Sequence, residues 1–224
     1  MAGSVLTVDV GGSHVKALLS SGGEKRKFVS GPALTAKQMT DGVLELVDGW
    51  SFDHVSVGIP AVVRRGKPIA EPVNLGDGWV DFDYEGAFGL PTKVINDAAM
   101  QAIGSYEGGR MLFLGLGIGL GSAMIADGVV LPFELGHLPF RKKTFEEYVS
   151  ERVLPRKGKE KWQETVFEAV ERLSAALEPD YVVIGGGAAD KLDELPPNSR
   201  LGDNENAFKG GFRLWEPEWT DRLG

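Results

Sequence analysis

Three short apolar runs in this chain each end in a cluster of glycines, and that repetition narrows the fold more than any other feature. Val5-Leu6-Thr7-Val8 leads into Gly11-Gly12, Met111-Leu112-Phe113-Leu114 into the stretch from Gly115 to Gly121, and Tyr181-Val182-Val183-Ile184 into Gly185-Gly186-Gly187. Runs of this length, rich in β-branched and aromatic residues, read as buried strands. A strand that ends on a glycine turn is where open α/β sheets hold their ligands. Further strands are expected at Val15 to Leu19, Val55 to Ile59, Val94-Ile95 and Ser122 to Ile125.

Helical spacing appears three times. Met39, Val43, Leu46 and Val47 predict a helix over 36–47, small residues predict one over 98–104, and the stripe Trp162, Val166, Ala169, Val170, Leu173, Leu177 predicts the longest. That last helix should stop before Pro179. Leu195-Pro196-Pro197-Asn198 reads as a loop, and residues from Arg213 onward carry no pattern. The order of elements repeats loosely in two halves, which makes the chain an α/β protein.

Charge and composition exclude several classes. With 24 Lys+Arg against 32 Asp+Glu the net charge is −8, a field that disfavours nucleic acid and anionic membranes as partners. The absence of cysteine excludes disulfides, Cys-ligated zinc and thiol nucleophiles. No apolar run approaches ~18 residues, and the first is broken by Asp9, so neither a membrane span nor a leader is expected. The expectation is a cytoplasmic protein.

Several segments carry chemistry. In Asp9-Val10-Gly11-Gly12-Ser13-His14-Val15-Lys16, a carboxylate at a strand end precedes two glycines and a hydroxyl. Such a turn wraps a phosphate with its N–H groups while Asp9 holds Mg²⁺ through water; it also occurs in plain hairpins. Gly115 to Gly121 is either a tight hairpin or a second cradle contributed by Gly115, Gly117 and Gly119. Gly185-Gly186-Gly187 suits a backbone lying flat under a nucleotide or polyanion, or equally a closely packed helix start. In Asn96-Asp97-Ala98-Ala99, Asp97 is either a helix N-cap or a general base for an attacking hydroxyl. Glu134-Leu135-Gly136-His137 sets two polar side chains to read the vicinal hydroxyls of a polyol.

Taken in order, Asp9-x-Gly11-Gly12-Ser13, Gly58-Ile59-Pro60, Asn74-Leu75 with Trp79, Asn96-Asp97-Ala98, Gly115 to Gly121, Glu134-x-Gly136-His137 and Gly185-Gly186-Gly187 resemble the ROK family of sugar kinases. Val130 to Leu138, Tyr148-Val149-Ser150 and the Trp162 helix are similar to its polyphosphate glucokinase branch. The resemblance runs from Val5 to about Phe212. It implies an actin-like (ribonuclease H-like) fold of two α/β domains around a cleft, residues 1–96 with about 206–224 forming one and 97–205 the other. It implies that Asp97 activates the sugar 6-hydroxyl and that Asn74, Asn96, Glu134 and His137 hold the sugar. Asp9, Gly11, Gly12, Ser13 and Lys16 would then handle the phosphoryl and Mg²⁺, with ATP or polyphosphate as donor and a homodimer as the assembly.

The chain departs from that family at four places. Leu116 stands where a Gly-Thr-Gly corner has its threonine, which removes a hydroxyl from the phosphate. Ser13-His14 replaces a threonine and a small residue, and Ala61 follows Pro60 where glycine is common. The Cys-rich zinc motif of many members is missing, as it is in the polyphosphate branch, so no zinc is expected. Basic clusters at Lys25-Arg26-Lys27, Arg141-Lys142-Lys143 and Arg156-Lys157-Gly158-Lys159 read as solvated faces or as a polyphosphate track. The alternative to a kinase is a sugar-binding protein of the same fold with an impaired donor site. A repressor is not expected, because the chain begins on the phosphate strand.

Overall fold

The structure is a computed structural model and describes residues 3–219. It opens with an antiparallel meander of β1 (Val5–Val10), β2 (His14–Leu19) and β3 (Arg26–Val29). Helix α1 (Ala36–Leu46) then leads to β4 (His54–Ile59), parallel to β1. A small hairpin, β5 (Val63–Arg64) and β6 (Lys67–Pro68), and the short α2 (Tyr84–Phe88) lead to β7 (Thr92–Asn96), parallel to β4. The sheet order is β3-β2-β1-β4-β7.

After α3 (Asp97–Ser105) the chain repeats this plan. β8 (Arg110–Leu116), β9 (Leu120–Ala126) and β10 (Val129–Phe133) form a second antiparallel meander. A second small hairpin, β11 (Pro139–Phe140) and β12 (Lys143–Thr144), precedes α4 (Glu146–Val149), α5 (Leu154–Lys157) and α6 (Lys159–Leu177). β13 (Tyr181–Gly185) then pairs parallel to β8 and β14 (Ser199–Leu201) parallel to β13, giving the order β10-β9-β8-β13-β14. Helix α7 (Asn206–Arg213) follows. Among the described residues no helix is long and apolar enough to cross a membrane.

Local sequence explains the helices that spacing predicted. Thr35 caps α1 reciprocally: its hydroxyl accepts from Gln38 N at 3.2 Å while Gln38 Oε1 accepts from Thr35 N at 3.0 Å. Met39 and Val43 then face the first core, with Leu6, Val8, Val57 and Trp79. Helix α6 buries Trp162, Val166, Ala169, Val170 and Leu173 against Leu112, Leu114 and Ile184. It ends at Glu178, in the left-handed region at φ 49°, because the following Pro179 disfavours a helical residue before it.

Helix α7 was not among the expected helices, and its two glycines weaken any isolated helix. Those glycines are what seat it. A Cβ on Gly210 would lie 1.8 Å from Met100 O, and one on Gly104 1.9 Å from Asn206 O, so α3 and α7 touch backbone to backbone. α3 lies on β8, β9 and β13 while α7 lies on β1 and β4 of the first sheet, and the two share a third core with Met100, Ile103, Phe113, Ile125 and Ala207. Ser56 ties α7 back to the first sheet by donating its hydroxyl to Gly211 O at 2.6 Å. Residues 1–2 and 220–224, included in the domain division expected above, lie outside the described residues.

Candidate active site

The first glycine corner joins β1 to β2. Asp9 and Lys16 are register partners across that antiparallel pair, and Lys16 Nζ lies 3.2 Å from Asp9 Oδ2. Asp9 is buried and Lys16 half-buried, so the pair is shielded where the turn opens. Ser30 holds the turn from behind: its N–H donates to Ser13 O at 3.0 Å and its hydroxyl to Gly11 O. The N–H groups of Gly12 and Ser13 meet no acceptor among the described residues, as an anion cradle requires.

Asn96 and Asp97 sit where β7 becomes α3. The N-cap is Asn96, whose Oδ1 accepts from Ala99 N at 3.0 Å and whose Nδ2 donates to Ala61 O at 3.1 Å. The N-cap reading of Asp97 is therefore corrected: it is the first helical residue, and its Oδ1 accepts from the adjacent Ala98 N at 2.8 Å. Asn96 has half of its polar capacity engaged in orienting the helix start, so a sugar contact would draw on its second amide hydrogen or second oxygen lone pair. Burial, and then the nearby Asp9 carboxylate, push the Asp97 pKa up from 3.8 to about 7; Glu134 adds to the rise and the Ala98 N–H opposes it. A carboxylate tuned to neutrality in a cleft is suited to accept a proton.

Beyond β10 lies Glu134, immediately before a one-turn 3₁₀ segment, Leu135–His137. Ser122 fixes that turn, donating its hydroxyl to Phe133 O at 2.9 Å and accepting from Leu135 N at 3.1 Å. The Glu134 and His137 side chains reach the surface, yet neighbouring protein partly desolvates the Glu134 carboxyl group and raises its pKa, with His137 opposing and Glu146 adding to the rise. His137 Nε2 stands 4.0 Å from Glu146 Oε1.

The second corner is a hairpin closed by the Leu116–Leu120 pair, with Gly117 N donating to Gly119 O at 3.1 Å. The expectation for Leu116 is overturned. Its side chain is buried in the second core beside Leu114, Leu120 and Ile184, because the strand extends to this residue and alternation turns it inward. The residue that meets the first corner is Ile118: a Cβ on Gly12 would lie 2.8 Å from Ile118 Cδ1. The Gly-x-Gly triplet facing the cleft is thus Gly117-Ile118-Gly119, and the missing hydroxyl is missing there. The third corner stacks on the second. Ala188 N donates to Leu116 O at 2.9 Å, and Gly186, at φ 85°, leaves no room for a Cβ against the Leu116 backbone. Only a 3₁₀ turn, Ala189–Lys191, follows, so no helix starts there.

Asn74 enters from the loop after β6, close enough to Gly12 that a Cβ there would lie 3.8 Å from Asn74 Cβ. Glu71 closes this loop by accepting from Trp79 N at 2.9 Å. Two residues escaped the sequence reading. Glu146 Oε2 would lie 2.7 Å from a Cβ on Gly119, and Arg152 donates to Asn74 Oδ1 at 2.8 Å across the cleft. The nearest signal was the Tyr148-Val149-Ser150 stretch between them. The basic clusters are engaged at the surface: Lys25 with Glu205, Arg141 with Glu168, Lys143 with Glu147 and Lys159 with Asp193.

No protein-family model matches the chain. The polyphosphate glucokinase of Mycobacterium tuberculosis is 26% identical over 212 residues, covering 85% of this chain and 80% of that protein. The chain is thus similar in sequence to polyphosphate glucokinases over most of its length. An inorganic polyphosphate/ATP-glucomannokinase from Arthrobacter sp. strain KM superposes with a TM-score of 0.82 at 22% identity, covering 95% of this chain and 98% of that one. A ROK family glucokinase from Streptomyces griseus, in complex with glucose and AMPPNP, gives 0.77 at 17% identity, covering 95% and 99%. The fold is accordingly the actin-like ATPase fold of ROK kinases, and the kinship supports a sugar kinase.

Proposed function

We propose that the protein transfers a phosphoryl group from polyphosphate or ATP to the 6-hydroxyl of glucose or a related hexose. The observation that carries this is Asp97, a carboxylate with a pKa of about 7 set between a glycine corner and Glu134. Asp97 takes the proton of the sugar hydroxyl as its oxygen forms a bond to phosphorus. The bond from phosphorus to the donor's bridging oxygen breaks, and its electron pair leaves with the shortened donor. Glu134, His137 and Asn74 hold the sugar, with Asn96 orienting the base. The N–H groups around Gly11, Gly12 and Ser13, together with Lys16, receive the phosphoryl. Gly117 and Gly119 face them, with Gly115 one step back in the strand, and Gly185, Gly186 and Gly187 support the donor side. Such chemistry is mostly positioning and charge neutralisation.

Asp9 fits magnesium, which takes one or two carboxylates and keeps several waters. Among the described residues no three acidic or His side chains gather into a cage, consistent with an ion held mainly by Asp9 and the donor. When bound, magnesium supplies charge neutralisation on the donor phosphates. A homodimer is the assembly this reading carries, and light scattering would check it.

A second reading, a sugar binder without transfer, is favoured by the apolar Ile118 over Gly12. A coupled assay of hexose 6-phosphate with glucose and Mg²⁺, run with ATP and with long-chain polyphosphate, decides between the two. Turnover with either donor supports the kinase. Silence with both, alongside glucose binding by calorimetry, moves the weight to the binder.

A further inference from the structure

We propose that Arg152 is the cation that receives the donor's phosphate chain between the two glycine corners, releasing Asn74 to do so. The proposal rests on the sugar-kinase reading and adds to it a residue that sequence motifs did not reach. The backbone next to Arg152 is fixed against the second corner, since Glu151 N donates to Gly117 O at 2.8 Å. From there the side chain crosses to the other half, where Nη2 donates to Asn74 Oδ1 at 2.8 Å, 78 residues away in sequence. Asn74 borders Gly12, and Gly12 borders Ile118. A guanidinium rooted beside one corner therefore ends beside the other.

Charge pairing sets this residue apart from its neighbours. Lys16 is held by Asp9 at 3.2 Å and Lys191 by Glu151 at 2.6 Å, whereas Arg152 forms no ion pair among the described residues. Its partner is a neutral amide oxygen, a weaker acceptor than a phosphate oxygen. A guanidinium carries five N–H donors in a planar fork that matches phosphate geometry. The second corner, beside which it is rooted, carries no hydroxyl at its tip, because Ile118 stands there. As the bond to the donor's bridging oxygen breaks, the electron pair stays on that oxygen, and Arg152 donates hydrogen bonds to the phosphate on which the charge grows. The sugar proton goes to Asp97, and no further reactant is required. A cation so placed acts on the transition state more than on the bound ground state.

The test compares wild type with Arg152→Ala and Arg152→Lys. Inorganic tripolyphosphate binding is followed by calorimetry in the presence of glucose. Weakening by about tenfold or more in the alanine variant is expected, with lysine between, and with glucose affinity and Tm unchanged. In the coupled assay kcat falls about 100-fold or more in the alanine variant, and added guanidinium restores part of it in that variant alone. A merely structural role would move Tm and would not respond to guanidinium. An alanine variant that binds tripolyphosphate and turns over like wild type overturns the proposal and leaves the kinase reading intact. A wild type that makes no sugar phosphate, yet binds tripolyphosphate through Arg152, sinks the kinase reading and keeps the phosphate site. A wild type that does neither overturns both.

Discussion

The two halves of the molecule are built on one plan, a three-stranded meander followed by two parallel strands, yet they furnish the same hairpin differently. One step inside the turn, the first half sets Asp9 opposite Lys16, and the second sets Gly115 opposite Gly121. One corner therefore offers a charged pair, and the other offers backbone with an apolar tip at Ile118. The difference teaches that duplication of the fold did not duplicate the chemistry. The first corner carries its charge within the turn, where Asp9 holds up the pKa of Asp97. The second corner itself contributes amide groups and takes its charged neighbours, Glu146 and Arg152, from segments further along the chain. The base stands at the seam, on the first residue of the helix that carries the chain from one half to the other.

Among the changes that separate the two corners, the largest effect is expected from removing the charge of the first. Asp9→Asn should lower kcat by about 10²–10³-fold. Because Asp9 repels the ionised form of Asp97, the rising limb of the pH–rate profile should also move to lower pH. A profile that stays in place would separate Asp9 from the base and break the comparison.

A stability measurement probes the same coupling without turnover. The Asp97 pKa is higher folded, at about 7, than its ordinary 3.8, so folding favours the protonated form. The resulting cost of ionisation is absent below the ordinary value, grows as pH rises through that window, and is complete above the folded value. Asp97→Asn should then stabilise the protein by roughly 2–4 kcal/mol near pH 8, with the gain vanishing toward about pH 4. Urea unfolding at both values would show it, and a pH-independent difference would argue against the raised pKa.

The second corner yields smaller effects, of two kinds. Leu116→Thr should cost about 2–3 kcal/mol in chemical unfolding, since it leaves a cavity and buries a hydroxyl. Ile118→Thr should change stability by less than about 1 kcal/mol and raise kcat a few-fold by restoring a donor to the phosphate. If Leu116→Thr were the variant that gained activity, the assignment of the tip would be reversed.

Much of this was legible in the residues. The glycine corners, the apolar spacing of α1, the position of α3 and the Trp162 stripe of α6 all follow from local patterning, which is short-range physics. What stayed hidden depends on contacts distant in sequence. Helix α7 forms because Gly210 meets the Met100 carbonyl, and no window around residue 210 contains that fact. The β3 strand, Arg-Lys-Phe-Val at a sheet edge, is too short and polar to stand out. Leu116 and Ile118 have the same parity and would share a face in a continuous strand. The strand stops at Leu116 and the turn redirects Ile118, which only the hairpin geometry reveals. Arg152 is an ordinary surface arginine in sequence, and its reach to Asn74 spans the cleft.

The account stands on Asp97, and one paired measurement tests it most directly: turnover and glucose affinity of Asp97→Asn. The substitution keeps the shape of the side chain and removes its basicity. Turnover with the better donor should fall by about a thousandfold or more, while glucose affinity by calorimetry stays within about tenfold of wild type. A variant that retains near wild-type kcat would contradict the assignment of the base, and with it the division of labour between the two halves.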